Sequence, residues 1–163
     1  MACVVAVLIW IASIDNPLYT PGEYSHGNGG TGMLKPVIYL YWEGEAVTEF
    51  DMSHGFVVPG AQTGEFLCTA LSRLGLTPKE YNEFIVYWLP KIQENPYNLI
   101  TFQQEAYTQS AKLEITPEPD SILRVFMVYQ ALEEPMEVPE QTLEPFTRTG
   151  FTVVEWGGAE LTP

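Results

Sequence analysis

The longest and most apolar run in the chain, residues 122–132, constrains the fold more than any other segment. Ile122-Leu123-Arg124-Val125-Phe126-Met127-Val128-Tyr129 is rich in strand-forming residues and shows no polar alternation, so it reads as a strand central in a sheet. Arg124 is its one oddity. A buried guanidinium without a partner costs several kcal/mol. Arg124 therefore faces an opposed carboxylate as a structural ion pair, lines a polar pocket as a ligand anchor, or sits at an exposed edge. Glu155, Glu83 and Glu43, acidic residues embedded in apolar runs, are its candidate partners.

Shorter runs supply the rest of the sheet. Residues 37–42 read as a strand followed by a turn at Glu43-Gly44-Glu45, and residues 56–58 as a short strand stopped by Pro59-Gly60. Residues 98–102 form another strand. In 111–115, Leu113 and Ile115 alternate against Lys112 and Glu114, and 151–156 is a last strand ended by Gly157-Gly158. Between these lie two helices. Phe66, Leu67, Ala70, Leu71 and Leu74 share one face of a helix over 63–74, with Gly75 suited to its C-cap. Thr77, Pro78 and Glu80 form a capping box with proline at N1, and Leu76 and Tyr81 occupy the positions of a hydrophobic staple. That second helix runs over 78–89 and ends or kinks near Leu89, before Pro90. Strands, then a helical pair, then strands indicate an α+β fold: a mainly antiparallel sheet packed against the two helices.

The remaining segments are punctuation and ends. Residues 1–14 are apolar but too short to span a bilayer. They suit an export signal lacking its basic start, a buried strand, or an artefact of the gene start. Residues 15–34, rich in glycine and proline, read as a linker; its His26-Gly27-Asn28-Gly29-Gly30 run lacks the nucleophile elbow that would make it an oxyanion loop. The single domain then covers 35–163. Within it, 133–148 carries Pro135, Pro139, Pro145 and five carboxylates, and reads as an acidic, extended surface arm.

Composition narrows the function classes. With 7 basic against 21 acidic residues among 163, and a net charge of −14, the chain is a poor partner for nucleic acid or an anionic membrane. Two cysteines make no disulfide framework; Cys68, on the apolar side of the first helix, reads as a buried free thiol. No zinc spacing and no cofactor motif occur, so neither zinc nor a cofactor is expected. Glu43, Glu45, Glu49 and Asp51 lack calcium-loop spacing and read as a solvated acidic edge, with no metal expected. Ser53-His54 is adjacency in sequence, not triad geometry.

Hydrolysis of a sugar needs two facing carboxylates, with aromatic rings to stack the sugar. Glu43 beside Trp42 and Glu155 beside Trp156 are the weak candidates: the glutamates for catalysis, Trp42, Trp156 and Arg124 for ligand binding. Neighbours on a strand point to opposite faces, so each pair need not share a site.

Lys35-Pro36-Val37-Ile38-Tyr39-Leu40-Tyr41, Tyr41-Trp42-Glu43-Gly44-Glu45, residues 82–90, Arg124-Val125-Phe126-Met127 and residues 151–158 together resemble a family of bacterial and fungal proteins. Its domain opens with Lys-Pro-Val-Ile-Tyr-Leu-Tyr-Pro. The resemblance covers 35–158. The family has no established activity, so no catalytic residue carries over. In its members a further β-rich stretch separates two Tyr-Leu-Tyr runs, whereas here Tyr39-Leu40-Tyr41 passes straight into Trp42-Glu43-Gly44, which implies an internal deletion. The functional expectation is a non-catalytic binding or structural module of the cell surface or exterior, with a small molecule or glycan as possible ligand. The alternatives are a carbohydrate hydrolase using paired carboxylates, and a non-functional deletion product.

Overall fold

The computed structural model describes residues 3–13 and 39–46 as backbone, and residues 49–110 and 113–161 in full but for the Ser110 side chain. The expected linker and residues Val37 and Ile38 lie outside these. The strands are β1 (Cys3–Ser13), β2 (Tyr39–Ala46), β3 (Phe56–Pro59), β4 (Tyr97–Phe102), β5 (Ser121–Leu132) and β6 (Phe151–Glu160). The helices are α1 (Thr63–Arg73), α2 (Pro78–Ile92) and α3 (Gln104–Ser110). All six strands form one sheet in the order β2-β1-β6-β5-β4-β3. Every pairing is antiparallel except β5 with β6, which is parallel. The α+β architecture, the helical pair and the central place of 122–132 are as expected. Among the described residues, no helix is long and apolar enough to cross a membrane.

Strand parity divides the sheet into two faces. On one, Val125, Met127, Tyr129, Val154 and Trp156 meet Leu67, Leu71, Phe84, Trp88 and Ile92 of the helical pair in the main core. On the other, Phe126, Val128 and Ala159 meet Tyr107 of α3, with Phe50, Met52 and Leu161 at the margin. The apolar segment 3–13 is a strand between β2 and β6, so the sheet extends beyond 35–163.

Local signals explain the helical pair. The Gly75 N–H donates to Ser72 O and the Leu76 N–H to Leu71 O, at 3.1 and 3.0 Å. Gly75 has φ +103°, a left-handed conformation that suits glycine. The capping box of Thr77 and Glu80 is present, with the Thr77 N–H 2.7 Å from Glu80 Oε2. Pro90 does not end α2, which continues to Ile92. Pro90 and Val86, whose carbonyl loses its helical donor, both lie on the exposed side, where solvent can satisfy that carbonyl.

Several expectations are corrected. Glu43-Gly44-Glu45 is strand, not turn, because β2 stays paired with β1 as far as Ala46. Gly157-Gly158 does not end β6, which is paired on both sides there, with Val7 and Ala6 of β1 and with Phe126 and Met127 of β5. Glycine at 158 has a packing cause: an added Cβ would lie 2.6 Å from Met127 O and 2.8 Å from the Trp88 ring. Leu113 to Ile115 form no strand; the helix α3 lies just before them instead. Cys68 is exposed, since the buried face of α1 is Thr63, Leu67, Ala70 and Leu71.

The acidic arm is extended, as expected, but it is packed. It is the crossover that the parallel β5–β6 pair requires. Pro139 O accepts from the Gly55 N–H at 2.9 Å. The Gln141 side chain takes both backbone groups of Phe102, accepting from its N–H at 2.8 Å and donating to its carbonyl at 2.7 Å. Leu143 is buried, and its carbonyl accepts from Arg73 Nε at 3.1 Å. At the end of the arm, Arg148 donates to the buried Glu80 carboxylate, at 2.9 Å from Nη1 to Oε1, and to Gly75 O at 2.7 Å. Burial of Glu80 opposes its charge, but the hydrogen bonds from Arg148 and Thr77 outweigh burial and hold its carboxyl below the usual range.

Arg148→Ala leaves that carboxylate buried with only its cap, and we expect it to lower the unfolding free energy by about 3–5 kcal/mol in urea titration. Because the folded pKa of Glu80 is depressed, its contribution is complete above the ordinary glutamate range and drains as pH falls through the lowered value. Unfolding between pH 7 and 3 should show this acid-side loss in the parent protein and less of it in Glu80→Gln.

Candidate functional site

The parallel pairing places Arg124 directly opposite Glu155. Their side chains form an ion pair through Arg124 Nε and Glu155 Oε2, with 9% and 1% of the side chains exposed. The second carboxylate oxygen accepts from Tyr107 Oη at 2.9 Å. The guanidinium carbon lies 4.7 Å from the centre of the Tyr107 ring, which stacks on Phe126 at 4.1 Å with 9° between planes. Of the three candidate partners for Arg124, the structure selects Glu155.

Each part has a local cause. Arg124 and Phe126 share a strand face, as do Glu155 and Ala159. Gln103, just before α3, donates its N–H to Phe126 O at 2.8 Å, and one turn later the Tyr107 N–H donates to Gln103 O at 3.0 Å. This turn lays the phenol over the ion pair. Burial, then the charge and hydrogen bond of Glu155, push the Tyr107 pKa well above that of a free phenol. Tyr107 therefore stays a protonated donor at ordinary pH. The cluster satisfies a buried charge pair; it offers neither a free base nor a free acid.

The other candidates are dispersed. Trp156, 2% exposed, lies on the helix face with its ring 5.2 Å from Phe84, so no ring face is open to a sugar. Glu155 points to the opposite face, as strand alternation requires. Trp42 and Glu43 stand opposite Val7 and Ala6 of β1, and their side chains lie outside the described residues. Ala6 is opposite Gly158, whereas Glu155 is opposite Ile9, so the register separates Glu43 from Glu155 by three positions, with β1 lying between their strands. Ser53 Oγ and His54 Nδ1 are 2.8 Å apart on an exposed turn, and Asp51 approaches the same ring nitrogen at 4.0 Å. A relay would need opposite nitrogens of the ring. Among the described residues no group of three or more His, Cys, Asp or Glu is placed to hold a metal ion.

Beside Arg124 lies an open groove of about 990 Å³ between α3 and the crossover. Phe102, Leu123 and Leu143, all buried, are at its base, and Glu105, Glu114 and Glu144, all exposed, surround it. Neither this groove nor Tyr107 was visible in sequence, since Tyr107 alone is buried among the described side chains of α3, which shows no apolar period.

Glu155→Ala strands the Arg124 charge and should destabilise by about 3–5 kcal/mol in urea. Tyr107→Phe removes one buried hydrogen bond to a charged group, at a cost of about 1.5–3 kcal/mol. The raised Tyr107 pKa stabilises the fold below the ordinary tyrosine range, and that stability is lost as pH rises above it. The alkaline decline of stability in Tyr107→Phe should therefore be shallower than in the parent. Comparison with protein-family models, with curated proteins and with solved structures finds no match to this chain.

Proposed function

We propose that the chain is a non-catalytic binding module and that the groove beside Arg124 is its ligand seat. One observation carries the reading. Glu155, the carboxylate paired with the groove residue Arg124, is 1% exposed and hydrogen-bonded on both oxygens, so it is not a reactive group that the groove presents. Its volume of about 990 Å³ is that of a cleft for a small organic ligand. The apolar base suits a ligand with an apolar body, and three exposed carboxylates disfavour an anion. Glycan binding belongs to the same proposal, through the groove rather than through Trp156. The resemblance over 35–158 adds no activity to it.

A thermal-shift screen of neutral and cationic small molecules and soluble oligosaccharides tests this. Binding should raise the melting temperature, and Thr108→Trp, which places a bulky ring at an exposed position of the groove wall, should abolish the shift without lowering the parent melting point. No hit, or a hit indifferent to Thr108→Trp, would overturn the reading. So would hydrolysis of chromogenic glycosides that disappears in Glu155→Gln.

A further inference from the structure

The sheet ends at β3, which pairs with β4 on one side only. In an antiparallel strand, successive residues turn their backbone groups alternately inward and outward. The Gly55 N–H points outward, to Pro139 O. Two residues on, Val57 turns its N–H and carbonyl to the same outer side, and among the described residues no backbone group meets them there. Next to this edge the crossover diverges from the strand. Between them is a slot of about 770 Å³, walled by Phe56 and Phe66 on one side and by Met136 and Val138 on the other. Met136 is among the few large apolar side chains that are exposed, at 48%. The Gly55–Pro139 bond bounds the slot at one end, and Pro59, the last residue of β3, has no N–H to offer.

We propose that this slot is a docking site for a short, extended peptide segment bearing lysine or arginine, supplied by a partner protein and bound by strand addition to Val57. Charge selects the occupant. Glu137 and Glu140 line the slot, Glu133 and Glu134 precede them, and no basic residue occurs between Leu132 and Arg148. An added strand lies about 4.8 Å from the edge and presents alternate side chains to opposite sides. Apolar residues at one parity then meet Phe66 and Met136, and basic residues at the other meet the carboxylates. A second copy of this chain fits poorly, because it brings a net charge of −14 and the same acidic crossover.

The test is independent of the groove beside Arg124. Fluorescence anisotropy with the full chain would compare a labelled, capped hexapeptide alternating lysine and valine with its glutamate–valine counterpart. Two further peptides would be the lysine version N-methylated at alternate positions, one in each of the two phases. The lysine peptide should bind, and the glutamate peptide should not. N-methylation in one phase should abolish binding, and Glu137→Lys with Glu140→Lys should weaken it about tenfold or more. Amide exchange should slow at Val57 on binding. Failure of the lysine peptide to bind, equal binding of both methylated phases, or unchanged exchange at Val57 would overturn strand addition. Dimerisation of the parent chain with protection of Val57 would assign the edge to a second copy instead and overturn the proposal.

Discussion

The parallel pairing of β5 with β6 is the constraint on which the rest of the structure depends. After β5 the chain stands at the wrong end of the sheet and must travel the length of a twelve-residue strand before β6 can begin. At roughly 3.3 Å per residue that is about 40 Å. Residues 133–150 supply the span without a helix, and their prolines favour an extended backbone that rises about 3.1 Å per residue. The crossover is held by what it passes: Gly55, Phe102, Arg73 and Glu80 each bond to it. Gln141 stands in for a missing strand. β3 pairs no further along β4 than Ile100, and the amide side chain takes the two backbone groups of Phe102.

The same pairing sets the polar interior. Parallel register brings Arg124 to Glu155 on the face away from the helical pair, where α3 covers them with Tyr107. A second arginine–carboxylate pair, Arg148 with Glu80, lies under the crossover on the helix side. In both, a buried glutamate takes two kinds of donor, a guanidinium and one other: the Tyr107 hydroxyl for Glu155 and the Thr77 backbone for Glu80. Neither carboxylate is left free to act on a ligand. This is why the functional reading rests on a groove wall and not on a reactive pair.

What the amino-acid sequence revealed was local. Thr77, Pro78 and Glu80 announce a helix start through neighbours three residues apart, and Gly75 announces a helix end. The apolar continuity of β5 marks it as central because burial on both faces leaves no room for alternation. Arg124 stood out as a charge that needed a partner, and Glu155 was one of three candidates. What stayed hidden was non-local. Nothing near Gly157-Gly158 shows that two strands will flank it, or that Trp88 will lie across it. Nothing near Pro139 or Leu143 shows that an acidic, proline-rich stretch will be pinned to four other elements. Tyr107 gave no signal because its helix has seven residues and Tyr107 alone is buried among its described side chains. Cys68 misled because it adjoins Leu67 in a helix whose apolar stripe is narrow.

The placement of β6 has a consequence for how the chain acquires its structure. β1 and β2 pair with each other, and β3, β4 and β5 pair in succession, but only β6 joins the two sets. Among the described elements it is also the last to leave the ribosome. The pairing of Ser13 with Phe151 and of Val5 with Ala159 closes loops of well over a hundred residues, the kind of contact that slows folding most. Until those ten residues emerge, the β1–β2 ribbon and the edge of β5 each present an unpaired strand. Kinetic vulnerability to aggregation is therefore concentrated in the interval before the final strand is made, and a chain that stops short of Phe151 keeps two open edges instead of a closed sheet interior.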